Sequence, residues 1–279
     1  MKKQSVILLV FMLTTSSFFY SCKNKMSNYG ELSFDSIQIN KTEHLLGDTA
    51  NPACNLIINY TYPVRSSEAV LLDSLNAYFA RICFGEEYVG VKPREIIDTY
   101  SRNYVQNYRD DLEQMFLKDL KSKEDGEAIG AWYSYYLEID SRVQWYKNNL
   151  LVYRVDYNEY TGGAHGIYAA NFLNIDLTNN RILKLDDIFT GDYVDMVTKQ
   201  LWDQLSADNN GLSRQELEDM GYGSTGELLP TENFFLDEDG ITFYYNVYEF
   251  TPYVMGPTEI KLSYKNLEPF LVLDEIIKN

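Results

Sequence analysis

Histidine is scarce in this chain of 279 residues, which contains only His44 and His165. The two lie far apart in the sequence, so they lack the spacing of a helical or strand-borne zinc site. No Gly-Lys-Ser/Thr follows the glycines at residues 162–166, which excludes a P-loop. A nucleophile elbow with an ordered serine, histidine and aspartate is also missing. We therefore expect no metal, no cofactor and a function that is not enzymatic.

Basic side chains are outnumbered, with 24 Lys and Arg against 41 Asp and Glu and a net charge of −17. Loss of Lys2 and Lys3 with an N-terminal signal leaves 22 basic side chains, a net charge of about −19. Such a chain does not bind nucleic acid or anionic phospholipid through bulk electrostatics. It would attract a basic protein, although solubility alone also accounts for an acidic surface.

The chain has three cysteines, and the first ends an N-terminal export signal. Two lysines precede an apolar run at residues 6–13, and small residues follow up to Cys22. This pattern predicts a lipoprotein signal peptide at residues 1–21, with Cys22 acylated and anchored in the lipid bilayer. No acidic run follows Cys22, which favours the periplasmic face of the cell envelope. Residues 22–33 are polar and are predicted to be a tether.

Cys54 and Cys83 remain in a compartment where disulfides persist. Cys54 lies on a predicted strand and Cys83 near the end of a predicted helix. A disulfide between them and a pair of separate buried thiols are both open alternatives.

The first half of the chain alternates between strand and helix patterns. Residues 34–40 and 54–64 alternate apolar and polar side chains, which predicts two strands, the second ended by Pro63. Residues 66–84 and 93–123 repeat apolar residues at three-four spacing, which predicts two helices.

The charged segment at residues 121–130 has no apolar period and is the best internal boundary. It divides a small N-terminal α/β module, residues 34–125, from a C-terminal module, residues 130–279. Residues 132–145 and 150–157 then predict an antiparallel strand pair.

The stretch at residues 157–189 organises the second module: strand, glycine corner, strand, Asn-Asn turn, strand and an Asp-Asp helix start. The rest of the module predicts a helix at 193–205, a short helix capped by Ser213, a hairpin turned at Asp239-Gly240, a strand at 258–264 and a closing helix at 266–273. The class is α+β, with the small module packed on one antiparallel sheet that carries flanking helices. The corner and the loop at 251–257 are expected to lie near one another at one end of the sheet.

Five motifs occur in a characteristic order: Tyr-Thr-Gly-Gly-Ala-His-Gly at 160–166, Asn-Phe at 171–172, Leu-Asp-Asp-Ile-Phe at 185–189, Gly-Ile-Thr-Phe at 240–243 and Thr-Pro-Tyr-Val-Met-Gly-Pro at 251–257. In these motifs the chain resembles an extracytoplasmic domain of unknown function shared by RsiV-type lysozyme-sensing anti-sigma factors and PdaC-type polysaccharide deacetylases. The resemblance covers about residues 130 to 273, and residues 34–125 resemble the module that precedes this domain.

The chain departs from those relatives, because it shows no internal transmembrane helix, no sigma-binding segment and no deacetylase domain after residue 279. The resemblance therefore implies a stand-alone lipoprotein of the Bacteroidetes type. Its expected function is non-enzymatic binding or sensing of a lysozyme-like basic protein or of peptidoglycan. An inhibitor that plugs the basic cleft of lysozyme is an alternative.

The candidate binding residues are those of the glycine corner and nearby tyrosines, which offer flat contact surface: Tyr160, Gly162, Gly163, His165, Gly166, Tyr168 and Tyr253, with Tyr248 as a further contact tyrosine. A lone histidine beside glycines is more often a structural hydrogen-bonding group than a ligand. The enzymatic alternative is an envelope hydrolase that pairs His165 with Asp156 or Glu159.

Overall fold

The computed structural model of the protein describes residues 27–29, 31–122 and 130–272. The strands are β1 (Ser27–Tyr29), β2 (Leu32–His44), β3 (Ala53–Arg65), β4 (Tyr135–Lys147), β5 (Leu150–Tyr160), β6 (Ile167–Asp176), β7 (Arg181–Ile182), β8 (Phe234–Leu236), β9 (Gly240–Tyr245) and β10 (Thr258–Ser263). The α-helices are α1 (Ala69–Phe84), α2 (Pro93–Ser122), α3 (Leu185–Ile188), α4 (Val194–Asp208), α5 (Arg214–Asp219) and α6 (Tyr264–Leu267). The predicted α+β class is confirmed.

Seven strands form one sheet in the order β1 to β7. Every neighbouring pair is antiparallel except β3 and β4, which run parallel. Parallel strands need a long crossover, and here α1 and α2 supply it. The sheet is therefore continuous across the charged segment, of which residues 123–129 lie outside the described part. The division into modules at 34–125 and 130–279 stays a prediction.

Helices α1 and α2 cover one face of this sheet and form the larger core. The Phe79 ring of α1 stacks on the Tyr153 ring of β5 with 3.6 Å between centroids, and both side chains are fully buried. Each large side chain buried in this way contributes about 1.5–3 kcal/mol to stability. The alternate residues of β3, β4 and β5 point to the opposite face, which is polar.

The last three strands form a second sheet in the order β10-β9-β8, packed against α4 in a separate core. The sequence predicts an antiparallel sheet with flanking helices for residues 130–279, and the structure divides the strands of this part between the two sheets. The second sheet joins the outer edge of β6 through asparagine side chains. The Asn246 carbonyl accepts from the Ala170 N–H at 2.8 Å, and the Asn233 carbonyl accepts from the Phe172 N–H at 3.2 Å. Side-chain amides thus replace a neighbouring strand at this edge.

Three predicted boundaries differ from the structure. Residues 27–29 pair with β2 instead of forming part of a tether, because Leu32 and Phe34 bury their side chains and bring this edge into the sheet. Pro63 does not end β3, since the strand runs to Arg65 and the pairing shifts at a bulge opposite it.

The predicted closing helix at 266–273 is replaced by α6, a 3-10 turn at Glu268–Phe270 and a bridge between Leu271 and Phe189.

The signal peptide and Cys22 lie outside the described residues, so lipidation stays a prediction. None of the helices that the structure describes is long and apolar enough to cross a membrane.

Cys54 and Cys83 are both free and buried, in different core clusters. Tyr153 donates its hydroxyl hydrogen to the Thr61 carbonyl at 2.6 Å, so the Cys83 thiol, 3.7 Å away, is the donor to the Tyr153 oxygen. Burial raises the pKa of each thiol to about 12. Of the two alternatives, the structure has the separate buried thiols, which are protonated and unreactive at neutral pH.

Candidate functional site

The glycine corner between β5 and β6 needs its glycines for two different reasons. Gly163 has a φ of 97°, a region that favours glycine, and the Tyr160 hydroxyl donates to its carbonyl at 3.0 Å. Gly166 has no space for a side chain, because a Cβ there would lie 2.7 Å from the Glu159 carbonyl oxygen. The tight corner places His165 just before β6, where its ring contacts Tyr248 and Tyr253.

His165, Tyr168, Tyr248 and Tyr253 form what we call the tyrosine–histidine cluster. The His165 ring stacks on the Tyr253 ring with 4.0 Å between centroids, and Tyr168 meets Tyr253 edge-on at 5.5 Å. The Nδ1 of His165 lies 2.9 Å from the Gly166 carbonyl, which only accepts, so Nδ1 carries the hydrogen. In neutral His165 the Nε2 then accepts from the Tyr248 hydroxyl at 3.0 Å. Both ring nitrogens are used to hold the cluster together.

The loop at residues 251–257 supplies Tyr253, so the predicted proximity of the glycine corner and this loop is confirmed. Thr251 is fully buried, and its hydroxyl donates to the Gly256 carbonyl at 2.9 Å. This bond closes the loop around a 3-10 turn at Tyr253–Met255. The closed loop holds Tyr253 against His165.

Tyr248 is held in the left-handed region with a φ of 70°, although it is not a glycine and is 48% exposed. That conformation costs a residue with a Cβ about 1–2 kcal/mol. The Tyr248 N–H donates to the Thr251 carbonyl at 3.0 Å, which fixes the turn. Backbone strain at an exposed residue is typical of functional sites. The strain therefore makes Tyr248 a candidate for a functional role of its side chain.

Replacing Tyr248 by asparagine is expected to raise the free energy of unfolding by about 0.5–1 kcal/mol, because asparagine tolerates the left-handed region. The same substitution removes the hydroxyl that bonds His165 and should weaken ligand binding. Urea unfolding and a binding isotherm on one preparation measure both effects. Tyr248→Phe is the matched control, since it keeps the strain and loses only the hydroxyl. A loss of stability in Tyr248→Asn equal to that in Tyr248→Phe would contradict the strain argument.

A cleft of about 390 Å³ lies beside this cluster on the polar face of β4, β5 and β6. We call it the sheet cleft. Two tyrosines, Tyr168 and Tyr244, form its walls. Its polar lining consists of Glu138, Asp140, Arg154, Asp156 and Asn158. Tyr168 belongs to both the cluster and the cleft, so the two form one continuous surface.

The floor of the cleft is an alternating set of charges. Asp140 lies opposite Asp156, and Arg142 lies opposite Arg154, across the β4–β5 pair. Arg142 donates to Asp140 at 2.6 Å and to Asp156 at 2.5 Å, and Arg154 binds Asp156 through Nε and Nη2. Arg142 thus bonds both carboxylates, one on its own strand and one on the diagonal, and Arg154 bonds Asp156 along β5, which fixes the floor in one arrangement.

Tyr244 forms one wall of the cleft and is only 5% exposed. The Arg154 guanidinium lies 6.0 Å from the centre of its ring and 5.3 Å from that of Phe172. Burial raises the pKa of Tyr244 to about 12, so the hydroxyl keeps its hydrogen at neutral pH. Within residues 27–29, 31–122 and 130–272, neither this hydroxyl, nor that of Tyr168, nor the amide of Asn158 has a hydrogen-bond partner. Three polar groups in the cleft are available to a ligand.

The carboxylates that the hydrolase alternative pairs with His165 have other partners in the structure. Asp156 is held by two arginines, and Glu159 lies on the other face of the sheet, where it accepts from Tyr104 at 3.1 Å. The partners of His165 are the Gly166 carbonyl and the Tyr248 hydroxyl, so no carboxylate orients the ring. Across the part of the chain that the structure describes, no group of three His, Cys, Asp or Glu could hold a metal ion.

The sequence places the candidate residues of the corner and the tyrosines correctly in one region, but it misses the cleft. Glu138, Asp140, Arg154 and Asn158 appear in the sequence as polar positions of alternating strands, which any solvated sheet face would show. The one available signal is that β4 and β5 both carry paired charges at alternate positions. Tyr244 comes from a hairpin about 90 residues away from β5, and no local pattern points to it.

Comparison with solved structures identifies the family. A protein from Bacteroides fragilis NCTC 9343, described as a member of the DUF3298 family, is 60% identical to this chain; the match covers 90% of this chain and 98% of that one, with a TM-score of 0.85. The chain belongs to the DUF3298 family. The family profile, described as a protein of unknown function, matches residues 186–265, and a second profile, described as deacetylase PdaC, matches residues 50–168.

The resemblance seen in the sequence motifs is thereby confirmed, and the two matches indicate an extracytoplasmic domain of unknown function. A DUF3298 family protein from Pseudomonas aeruginosa PAO1 shares the fold, with a TM-score of 0.59 at 17% identity over 86% of this chain and 94% of that one. No curated protein matches the chain. Between them, the two profile matches include Glu138, Asp156 and His165 on one side and Tyr244 and Tyr253 on the other.

Proposed function

We propose that this DUF3298 protein is a non-enzymatic binding module of the cell envelope, held at a membrane by acylated Cys22, and that its ligand is a cell-wall glycan. The observation that carries the proposal is the sheet cleft with its unbonded polar groups. Sugars present hydroxyl groups that both donate and accept hydrogen bonds, and Asn158 with the two tyrosine hydroxyls can match them. Sugars also present apolar C–H faces, which the rings of Tyr168 and Tyr253 can cover.

The rigidity of the site supports binding rather than chemistry. The carboxylates on the floor are locked by arginines, and His165 is locked by Gly166 and Tyr248. A preorganised surface loses little conformational entropy on binding, which suits recognition of a flexible glycan strand.

A second candidate is capture of a basic protein such as lysozyme. The acidic net charge of −17 favours it, and so do apolar side chains near the cluster, where Val254 is 90% and Ile167 58% exposed. Apolar tips of this kind anchor protein interfaces. Capture of a basic protein does not explain the sheet cleft, because the partner would need to insert a side chain into it.

A pull-down with the chain from residue 26 onwards separates the two candidates. Purified peptidoglycan and lysozyme are offered at low and at moderate salt. We expect saturable retention by peptidoglycan that persists at moderate salt, because stacking and hydrogen bonds contribute much of it. Lysozyme capture that weakens with salt, without retention by peptidoglycan, would reject the glycan and establish the protein ligand.

A further inference from the structure

The charges around the sheet cleft do not cancel. Three carboxylates line it, those of Glu138, Asp140 and Asp156. Two guanidinium groups, Arg142 and Arg154, face them. The cleft therefore holds an excess of one negative charge in a partly enclosed space, where charges are screened less than on an open surface.

The excess is concentrated at one end of the floor. Asp140 and Asp156 are bonded to arginines, whereas the hydrogen-bond partner of Glu138 is the neutral hydroxyl of Tyr136 at 2.5 Å. Glu138 lies opposite Asn158 in the β4–β5 pair, and Asn158 lies opposite Tyr168 in the β5–β6 pair. An uncompensated carboxylate, an unbonded amide and an unbonded tyrosine hydroxyl thus share one row across the sheet.

A second observation independently indicates a ligand at this place. Tyr244 is 5% exposed, lines the cleft and has a hydroxyl without a hydrogen-bond partner in the described residues. This hydroxyl can therefore donate a hydrogen bond to a ligand group in the cleft, or accept one from it. The Tyr168 ring is also suited to a cation, because aromatic faces carry partial negative charge, whereas the Tyr244 ring already has the Arg154 guanidinium 6.0 Å from its centre.

We propose that the sheet cleft binds an ammonium group, and that the ligand is an amino sugar with a free amine. This inference rests on the proposed glycan function and names the chemistry that the cleft selects. Glu138 supplies the countercharge, while Asn158 and the hydroxyls of Tyr168 and Tyr244 accept hydrogen bonds from the ammonium group. An acetylated nitrogen has no charge for Glu138 to compensate and carries a bulkier substituent into the row. The cleft is expected to discriminate between the two forms of one sugar.

The test uses two oligosaccharides of equal length, one of glucosamine and one of N-acetylglucosamine, which differ only at the nitrogen. Titration calorimetry is run at a pH that keeps the amine protonated. We expect the glucosamine oligomer to bind at least tenfold tighter. Glu138→Gln should weaken binding of the glucosamine oligomer and so remove most of this preference, since glutamine still accepts from Tyr136 but carries no charge. Glu95→Gln is the matched control, because Glu95 lies on α2, on the opposite face of the sheet.

Tyr244→Phe provides a second test that does not depend on Glu138. We expect this variant to bind the glucosamine oligomer severalfold more weakly. Equal affinity for the two oligomers would overturn the ammonium assignment and leave glycan binding standing. Binding of neither oligomer would overturn both proposals. Tighter binding of oligolysine than of the glucosamine oligomer would assign the ammonium group to a peptide and overturn the amino sugar.

Discussion

Replacement of Asn174 by alanine is expected to lower the free energy of unfolding by about 3 kcal/mol. Asn174 is 2% exposed, accepts from the Leu236 N–H at 2.9 Å and donates to the Phe234 carbonyl at 2.8 Å. The substitution leaves two buried backbone groups of β8 without partners, and each costs about 1–3 kcal/mol. Because β8 holds the second sheet against β6, the loss falls on the junction between the two sheets.

Asn171→Ala is the matched control, because Asn171 lies on the same strand with an exposed side chain. Chemical denaturation of the two variants is compared, and the slope with denaturant shows whether unfolding stays cooperative. Equal stability of both variants would show that the asparagine bonds do not hold the sheets together.

Truncation of Tyr168 to alanine is expected to weaken glycan binding at least tenfold. Tyr168 is the residue shared by the two parts of the site, since it lines the sheet cleft and meets Tyr253 edge-on at 5.5 Å. Its loss removes one wall of the cleft and a neighbour of the ring that stacks on His165. Central aromatic residues of this kind contribute about 2 kcal/mol or more to binding when truncated.

Tyr168→Phe separates the ring from its hydroxyl and should show a smaller loss, because the wall remains and only one hydrogen bond is removed. Retention on peptidoglycan is measured for both variants, with thermal unfolding as the check that each is folded. Unchanged retention of Tyr168→Ala would place the ligand elsewhere on the protein and reject the cleft as the glycan site.

The local elements of this protein follow from short-range physical chemistry. Pro93 begins α2 and Gly85 follows α1, where the sequence predicts a helix start and a helix end. Ser213 and Glu216 form the predicted capping box of α5. The sequence predicts the corner before β6 from its glycines, and Gly162 and Gly163 do adopt the positive φ values that favour glycine.

The faces of the strands are also readable, because a period of two separates buried from exposed side chains. In β4, Leu137 and Ile139 are fully buried and Glu138 and Asp140 lie between them. The pattern shows that these acids share a face, but it does not show which strands stand beside them.

Strand order is the property that only the tertiary structure decided. The parallel pairing of β3 with β4 joins residues about 80 positions apart, such as Asn59 and Asp140, and depends on how α1 and α2 pack. The N–H groups at the outer edge of β6 likewise bond to Asn233 and Asn246, which lie more than 60 residues further along the chain.

The candidate site divides in the same way. The motif order determined the family of the protein and the region of the site, since each motif consists of residues close in sequence. The sheet cleft exists only because Glu138, Arg154, Tyr168 and Tyr244 meet through long-range pairing. The shape and the net charge of the cleft depend on side chains from four strands, and only the folded structure brings those strands together.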